Sequence, residues 1–279
     1  MKITEVIKNL VEWHEPFEDR SDGRDKFLAG NPDQECKGIA VTVCATYEVL
    51  EKAVEKGCNL IISHESIFFG GQVDGTSLEN NDVYQAKKKY IEDHNLVVWR
   101  DHDRMHGNGL PFYPKRTNPD CVFYGIMRTL NWEQYISGDK LKPLFYEIPE
   151  TTGRDLAELL MEKFNLSGCR IVGNPDAKIS KVWFCEHVNG GRFDGRKLEQ
   201  GLNADCMIPL EICDYTLTQY VHDAAFTGQN KVILEFGHFN IEEIGMRDML
   251  SWIKEATKAD VDACFIQSGD YFNYLVRKS

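Results

Sequence analysis

Short apolar runs alternate with amphipathic segments along most of this chain, the pattern of βα units. Residues 38–43 (GIAVTV), 59–63 (NLIIS) and 96–100 (LVVWR) each read as a strand. Their mainly apolar character predicts strands buried in the sheet interior. Between the first two, Thr46 stands as an N-cap, and Tyr47, Leu50 and Val54 fall on one helical face before Gly57. The stretch 81–93 predicts a second helix. Around 107–120, glycine, proline and asparagine accumulate, which predicts a loop.

The segment 138–153 (GDKLKPLFYEIPETTG) reads as a boundary, which divides the chain into a first α/β lobe over 1–137 and a second over 138–279. Beyond it, Leu156, Leu159, Leu160 and Phe164 mark one face of a helix. Strands are expected at 169–172, 181–185, 204–208, 231–236 and 262–266, with one helix over about 241–257 between the last two. The expected fold class is α/β, two linked lobes with mainly parallel or mixed sheets.

Composition narrows the picture. With 279 residues, 42% hydrophobic and 27% charged, the chain can bury a substantial core. Lys2, Glu5 and Lys8 interrupt any early apolar stretch, and no window approaches the roughly 20 apolar residues of a membrane span. The expected location is cytoplasmic, with no membrane partner. A formal net charge of −12, with basic residues scattered, argues against nucleic acid as the main partner, though one nucleotide in a pocket remains compatible. The nine cysteines include no Cys-x-x-Cys pair and several sit in apolar runs, which fits reduced, buried thiols better than disulfides or thiolate zinc.

Three expected strands end in the same chemistry. NLIIS runs into His64-Glu65, LVVWR into Asp101-His102-Asp103 with His106 close behind, and VILEFG into His238 with Glu242 four residues on. In open α/β sheets the loops at the carboxyl ends of strands converge on the ligand crevice. Imidazoles and carboxylates delivered together suit zinc, iron, manganese, nickel or cobalt. His102 to His106 and His238 to Glu242 are both i, i+4 pairs, on one side of any helical turn. Glu242 also shares a stripe with Met246, Met249 and Ile253, so its carboxylate should point inward and need a partner such as a metal. A single histidine after a strand is ordinarily a satisfied loop residue, and Asp101 and Asp103 equally suit turn caps. His14, His94 and His222 lack companions of this kind and read as surface or structural, and His187 reads as a loop residue that could line a pocket.

These residues resemble the YbgI/NIF3-like family of dinuclear-metal proteins. The opening GNPDQECKGIAVTVCATYEVLEKAVEKGCNLIISHES follows the family's strand, helix and strand running into His-His-Pro. DHDRMH matches its His-Thr-x-x-Asp, GHFNIE its Gly-His-x-x-x-Glu, and CRIVGNPDAKISKVWFC the start of its second lobe. Two departures offset one another: the family's second histidine is Glu65 here, and its aspartate is His106. Cys185-Glu186-His187 is a third, standing where the family has cysteine followed by glycines.

The resemblance implies a site for two divalent metal ions between the lobes, with the C-terminal part of the second lobe returning ligands to it. The ligands would be His64, Glu65, His106, His238 and Glu242, with His102 or Asp103 as an orienting group or general base. It also implies dimers that assemble into toroidal hexamers, and a link by label to type 2 GTP cyclohydrolase I. Two functions fit. One is a metal-dependent hydrolase acting on a small molecule: a nucleotide, a phosphoester or a cyclic amide. The other is a non-catalytic metal carrier, insertase or regulatory scaffold using the same ligands without turnover.

Overall fold

The computed structural model describes residues 1–19, 22–70, 78–107, 118–190 and 194–275. In chain order its elements begin with α1 (Ile3–Trp13), β1 (Lys26–Ala29), β2 (Gly38–Thr42), α2 (Tyr47–Glu55), β3 (Leu60–Ser63), α3 (Asp82–Asp93), β4 (Val97–Arg100) and α4 (Cys121–Leu130). They continue with β5 (Phe145–Thr152), α5 (Gly153–Phe164), β6 (Arg170–Gly173), β7 (Lys178–Val188), α6 (Asp194–Gly201), β8 (Cys206–Ile212) and α7 (Leu217–Phe226). The last are β9 (Val232–Glu235), α8 (His238–Asp248), α9 (Ile253–Thr257) and β10 (Asp262–Phe265).

Chain contacts define two compact units, Met1–Gly125 with Gly245–Ser268, and Ile126–Ile244 with Gly269–Ser279. The stretch 138–153, read as a lobe boundary, carries the whole of β5. In the first unit the sheet runs β1-β4-β3-β2-β10. All its pairs are parallel except β1 with β4. β10 returns from the far end of the chain to pair with β2, Ala263 opposite Ile39, so this sheet is built from both ends of the sequence. Every residue of β2, β3 and β4 is buried, as expected for interior strands. Val49, Leu50 and Ala53 of α2 pack into the same core as Ile61 and Val98. Burying a side chain such as Leu50 or Ile61 stabilises the unit by roughly 1.5–3 kcal/mol.

The second unit has the sheet β5-β7-β8-β9-β6. β7, β8 and β9 are parallel neighbours, flanked by antiparallel β5 and β6, so both sheets are mixed. On α5, Leu156, Leu160 and Phe164 are buried, while Leu159 is 38% exposed at the edge of the stripe.

The cap read at Thr46 holds, its side chain accepting from Val49 N, and the helix expected over 81–93 forms as α3, with Asn81 as its N-cap. The single helix expected over 241–257 is broken instead. α8 ends at Asp248, a 3-10 turn covers Met249–Ser251, and Trp252 leaves helical geometry at φ −135° before α9. The Trp252 ring stacks on Trp13 at 6.1 Å and meets His14 edge-on at 5.7 Å, packing that competes with helix continuation. Most of the expected 107–120 loop lies outside the described residues. Among the described residues, no helix is long and apolar enough to cross a membrane. All nine cysteines are free thiols.

Candidate metal centre

β3 ends at Ser63 and delivers His64 into a held turn. His64 N donates to Thr42 O at 3.2 Å and Glu65 N to Val43 O at 2.8 Å. The His64 ring is buried, and its Nδ1 lies 3.1 Å from the carbonyl of Asp101. A carbonyl only accepts, so Nδ1 carries a proton and Nε2 is the nitrogen placed to act as a ligand.

β4 then enters a helical turn in which His106 N donates to His102 O at 3.2 Å, so the i, i+4 spacing places both rings on one side. Asp25 organises this turn. Its carboxylate accepts from the backbone N–H groups of His102 (2.7 Å), Asp103 (2.7 Å) and Arg104 (3.0 Å). Burial, and then the nearby charge of Asp101, raise the Asp25 pKa above the usual carboxylate range, against the pull of those N–H bonds.

Three imidazoles meet as a result. Ring centroids are 4.3 Å apart for His64 and His102, 5.0 Å for His64 and His106, and 4.9 Å for His102 and His106. One nitrogen of each lies within 4.8 Å of the others, a spacing that a metal ion can bridge. Every ring also has its Nδ1 committed to an oxygen: His64 to Asp101 O, His102 to Asp103 Oδ1 at 3.2 Å, and His106 to Asp120 Oδ2 at 3.1 Å. This is how metal-binding imidazoles are normally oriented, with the proton turned away from the ion.

Two arginines complete the local field. Buried Arg100 donates Nη2 to Glu65 Oε2 at 2.7 Å and Nε to His64 O at 3.2 Å. The other Glu65 oxygen, Oε1, then lies 3.9 Å from His102 Nε2. Arg24 grips Asp103 through Nε at 2.6 Å and through its backbone N at 2.8 Å, and its Nη1 stands 3.0 Å from His102 Nε2. A guanidinium only donates, so His102 accepts at Nε2 and is neutral, protonated on Nδ1. Burial, followed by the neighbouring His64 ring, pushes the His102 pKa well below its ordinary value. Burial opposes the Asp103 charge, but His102 and Arg24 outweigh it and hold that carboxyl below the usual range.

In the second unit His238 opens α8 directly after β9 and Gly237, whose φ is +96°. His238 Nε2 lies 2.9 Å from Glu242 Oε2, and its Nδ1 lies 3.0 Å from Glu211 Oε2. Glu242 is 2% exposed, as its position on the Met246, Met249 and Ile253 stripe required. Burial alone would lower the His238 pKa. The charge of Glu242 and the hydrogen bonds that His238 donates to Glu211 and Glu242 reverse that and lift it to about 10. Burial likewise works against the Glu211 charge, yet the bonds from His187 and His238 bring its pKa down to about 2.

Each unit brings its own expected residues together. His64, Glu65, His102 and His106 meet in the first unit, with Asp103 fixing His102. His238 and Glu242 pair in the second, joined there by His187 and Glu211. Sequence reasoning missed Asp25, Arg24, Asp120 and Glu211. Of these only Asp120 carries a local signal, as an aspartate immediately before a helix. His14, read as lacking an acidic companion, is buried with its Nε2 3.4 Å from Asp101 Oδ2, a pairing made across most of the first unit's sequence. His94 and His222 are exposed, as expected.

Residues 1–102 match the family model described as Duf34/NIF3 (NGG1p interacting factor 3). A Staphylococcus aureus protein named GTP cyclohydrolase 1 type 2 homolog is 27% identical over 176 residues, 62% of this chain and 44% of the relative, so the match spans less than half of that relative's length. A Clostridium perfringens protein of the same name is 24% identical over 277 residues, covering 94% of this chain and 95% of the relative. Among solved structures, a Bacillus cereus protein related to NIF3 aligns with a TM-score of 0.67 at 14% identity, covering 99% of each chain. The chain thus resembles the Duf34/NIF3 proteins in sequence over residues 1–102 and in fold over nearly its whole length.

Proposed function

We propose that the chain binds two divalent metal ions through His64, Glu65, His106, His238 and Glu242 and works as a metal-dependent hydrolase. The observation that carries this reading is the group of three imidazoles, His64 and His102 buried and His106 half-buried, with every Nδ1 held by an oxygen. Water and loop packing alone do not call for three such rings within 5.0 Å of one another. The donor set of nitrogen and carboxylate oxygen fits zinc, iron, manganese, nickel or cobalt. Such ions supply an acidified water and polarise a substrate oxygen.

The chain's own residues would do the rest. Arg100 fixes one oxygen of Glu65 and leaves the other toward the imidazoles. Asp25 holds the turn that aims His102 and His106. His102 serves as orienting group or proton carrier rather than ligand, because Arg24 engages its Nε2 and a cation there would have to displace it. Asp103 keeps the His102 tautomer. The substrate belongs to the class of nucleotides, phosphoesters and cyclic amides. The name carried by the Staphylococcus and Clostridium relatives favours the first. A cytoplasmic setting and a homo-oligomer, up to a hexamer, belong to the same proposal.

The test is elemental analysis of protein purified without added metal, followed by turnover assays on a panel of those three substrate classes. About two ions per chain and hydrolysis lost in His64→Ala and His106→Ala are expected. Metal content unchanged in both variants rejects the ligand set. Metal lost from them without turnover on any substrate of the panel points instead to a metal carrier.

A further inference from the structure

The two nitrogens of His238 face different carboxylates, and the Nδ1 side is the richer in donors. Glu211 places Oε2 3.0 Å from His238 Nδ1 and Oε1 2.7 Å from His187 Nδ1. The His187 and His238 rings are 5.1 Å apart. Ligand atoms from all three residues lie within 4.8 Å of one another.

The sheet explains the meeting. β7, β8 and β9 are adjacent and parallel. His187 and Glu211 are register partners near the carboxyl ends of β7 and β8, and His238 follows the carboxyl end of β9. That edge is where parallel sheets collect ligands. β7 departs from regular pairing to reach it. Its register shifts on both sides of Glu186, which takes φ +55°, a left-handed conformation that non-glycine residues rarely adopt. Strain of this kind concentrates at binding sites, and here it sets His187 beside Glu211. Lys142 pairs with the Glu186 carboxylate.

We propose that His187, Glu211 and His238 Nδ1 form a divalent transition-metal site within the second unit, so that one of the two ions proposed above is held there. Two imidazoles and one carboxylate are the donor set of open iron(II) and zinc sites, which keep positions free for water or substrate. His187, with half of its side chain exposed, leaves such positions on the solvent side. Bonds of about 2.1 Å in a tetrahedral arrangement place donors about 3.4 Å apart, and the three ligand atoms here already lie within 4.8 Å of one another. The ion takes the place of the protons between Glu211 and the two rings. Glu242 Oε2 then accepts from His238 Nε2–H, as carboxylates behind metal-bound imidazoles do, and keeps its other oxygen for the ligand role given above.

This inference rests on the metal-protein reading through His238 and separates from it at His187 and Glu211. The test uses the full chain, stripped with chelator and titrated with cobalt(II) against a chromophoric competitor. His187→Ala and Glu211→Gln are expected to weaken one equivalent at least tenfold and leave the other unchanged, while His106→Ala weakens the other. Far-UV circular dichroism checks that each variant is folded, and His187→Asn repeats the measurement with a smaller change in shape. Both equivalents retained at wild-type affinity in His187→Ala and Glu211→Gln overturn the second-unit site, even where His106→Ala loses metal and the broader reading survives. Loss confined to the His187 and Glu211 variants, with His106→Ala unaffected, supports this site and counts against the first-unit ligands. Absence of cobalt binding by the wild-type chain overturns both.

Discussion

The Nδ1 of His106 lies 3.1 Å from Oδ2 of Asp120, a wholly buried aspartate whose Oδ1 accepts from Phe123 N at 3.2 Å and so caps α4. One carboxylate thereby sets the direction of a candidate ligand and starts a helix. The two roles separate by substitution. Asn caps a helix about as well as Asp, so Asp120→Asn is expected to keep stability within about 1 kcal/mol. It removes the charge behind His106 and should lower metal affinity about 10–100-fold. Asp120→Ala should lose the cap as well, a further roughly 0.5–2 kcal/mol. Urea denaturation and chelator competition on the two variants measure the two effects independently.

Arg24 tests the field around the histidine group from the other side. Its guanidinium stands 3.0 Å from His102 Nε2 and pairs with Asp103 at 2.6 Å. A positive charge at that distance opposes a second cation among the same rings. Arg24→Met is therefore expected to raise zinc affinity about tenfold, and Arg24→Lys to raise it less. Equal affinities in wild type and Arg24→Met, by competition with a zinc dye, would show that no ion sits near His102.

How far the sequence reveals this arrangement depends on whether a residue's partner is local. The interior strands β2, β3 and β4 were legible because continuous burial writes an apolar run into each. Glu242 was legible because helical spacing put a charge on a buried stripe. The edge strand β1 alternates weakly and escaped notice, and β10 gives no sign in its own residues that it pairs with β2. Asp25 reaches the turn at 102–104 across more than 70 positions, and no periodicity links them. Glu211 reads as an ordinary strand residue until its register opposite His187 is known.

Glycines account for another feature without a local signal. A Cβ added at Gly245 of α8 would fall 2.4 Å from Val122 Cα and 2.7 Å from Val122 O on α4, and one at Gly125 would fall 2.8 Å from Gly245 Cα. The obstacles include backbone atoms, which cannot rotate aside. Gly245→Ala should cost about 1–3 kcal/mol or more through forced separation of the two helices. Gly57, with nothing within 4 Å of its added Cβ but a φ of +72°, is a control for backbone strain without crowding. A denaturation midpoint for Gly245→Ala equal to wild type would mean the helices are less closely apposed than this.

Protonation of the metal-free second unit offers a prediction with a definite sign. His238 has its pKa raised from 6.5 to about 10, so its contribution to stability is complete below about 6.5 and is lost as pH rises toward 10. Glu211 has its pKa lowered from 4.5 to about 2, so its contribution is complete above about 4.5 and is lost as pH falls toward 2. The two windows leave a plateau between about 4.5 and 6.5 in which the clasp around His238 contributes fully. Melting temperatures of the metal-free chain, taken every half pH unit and compared with His238→Gln, should converge on the alkaline side, because the variant has no imidazolium to lose. Metal competes for the same nitrogen. Loading near pH 8 should therefore release a proton and flatten the alkaline decline, and a wild-type decline unaltered by metal would place the ion away from His238.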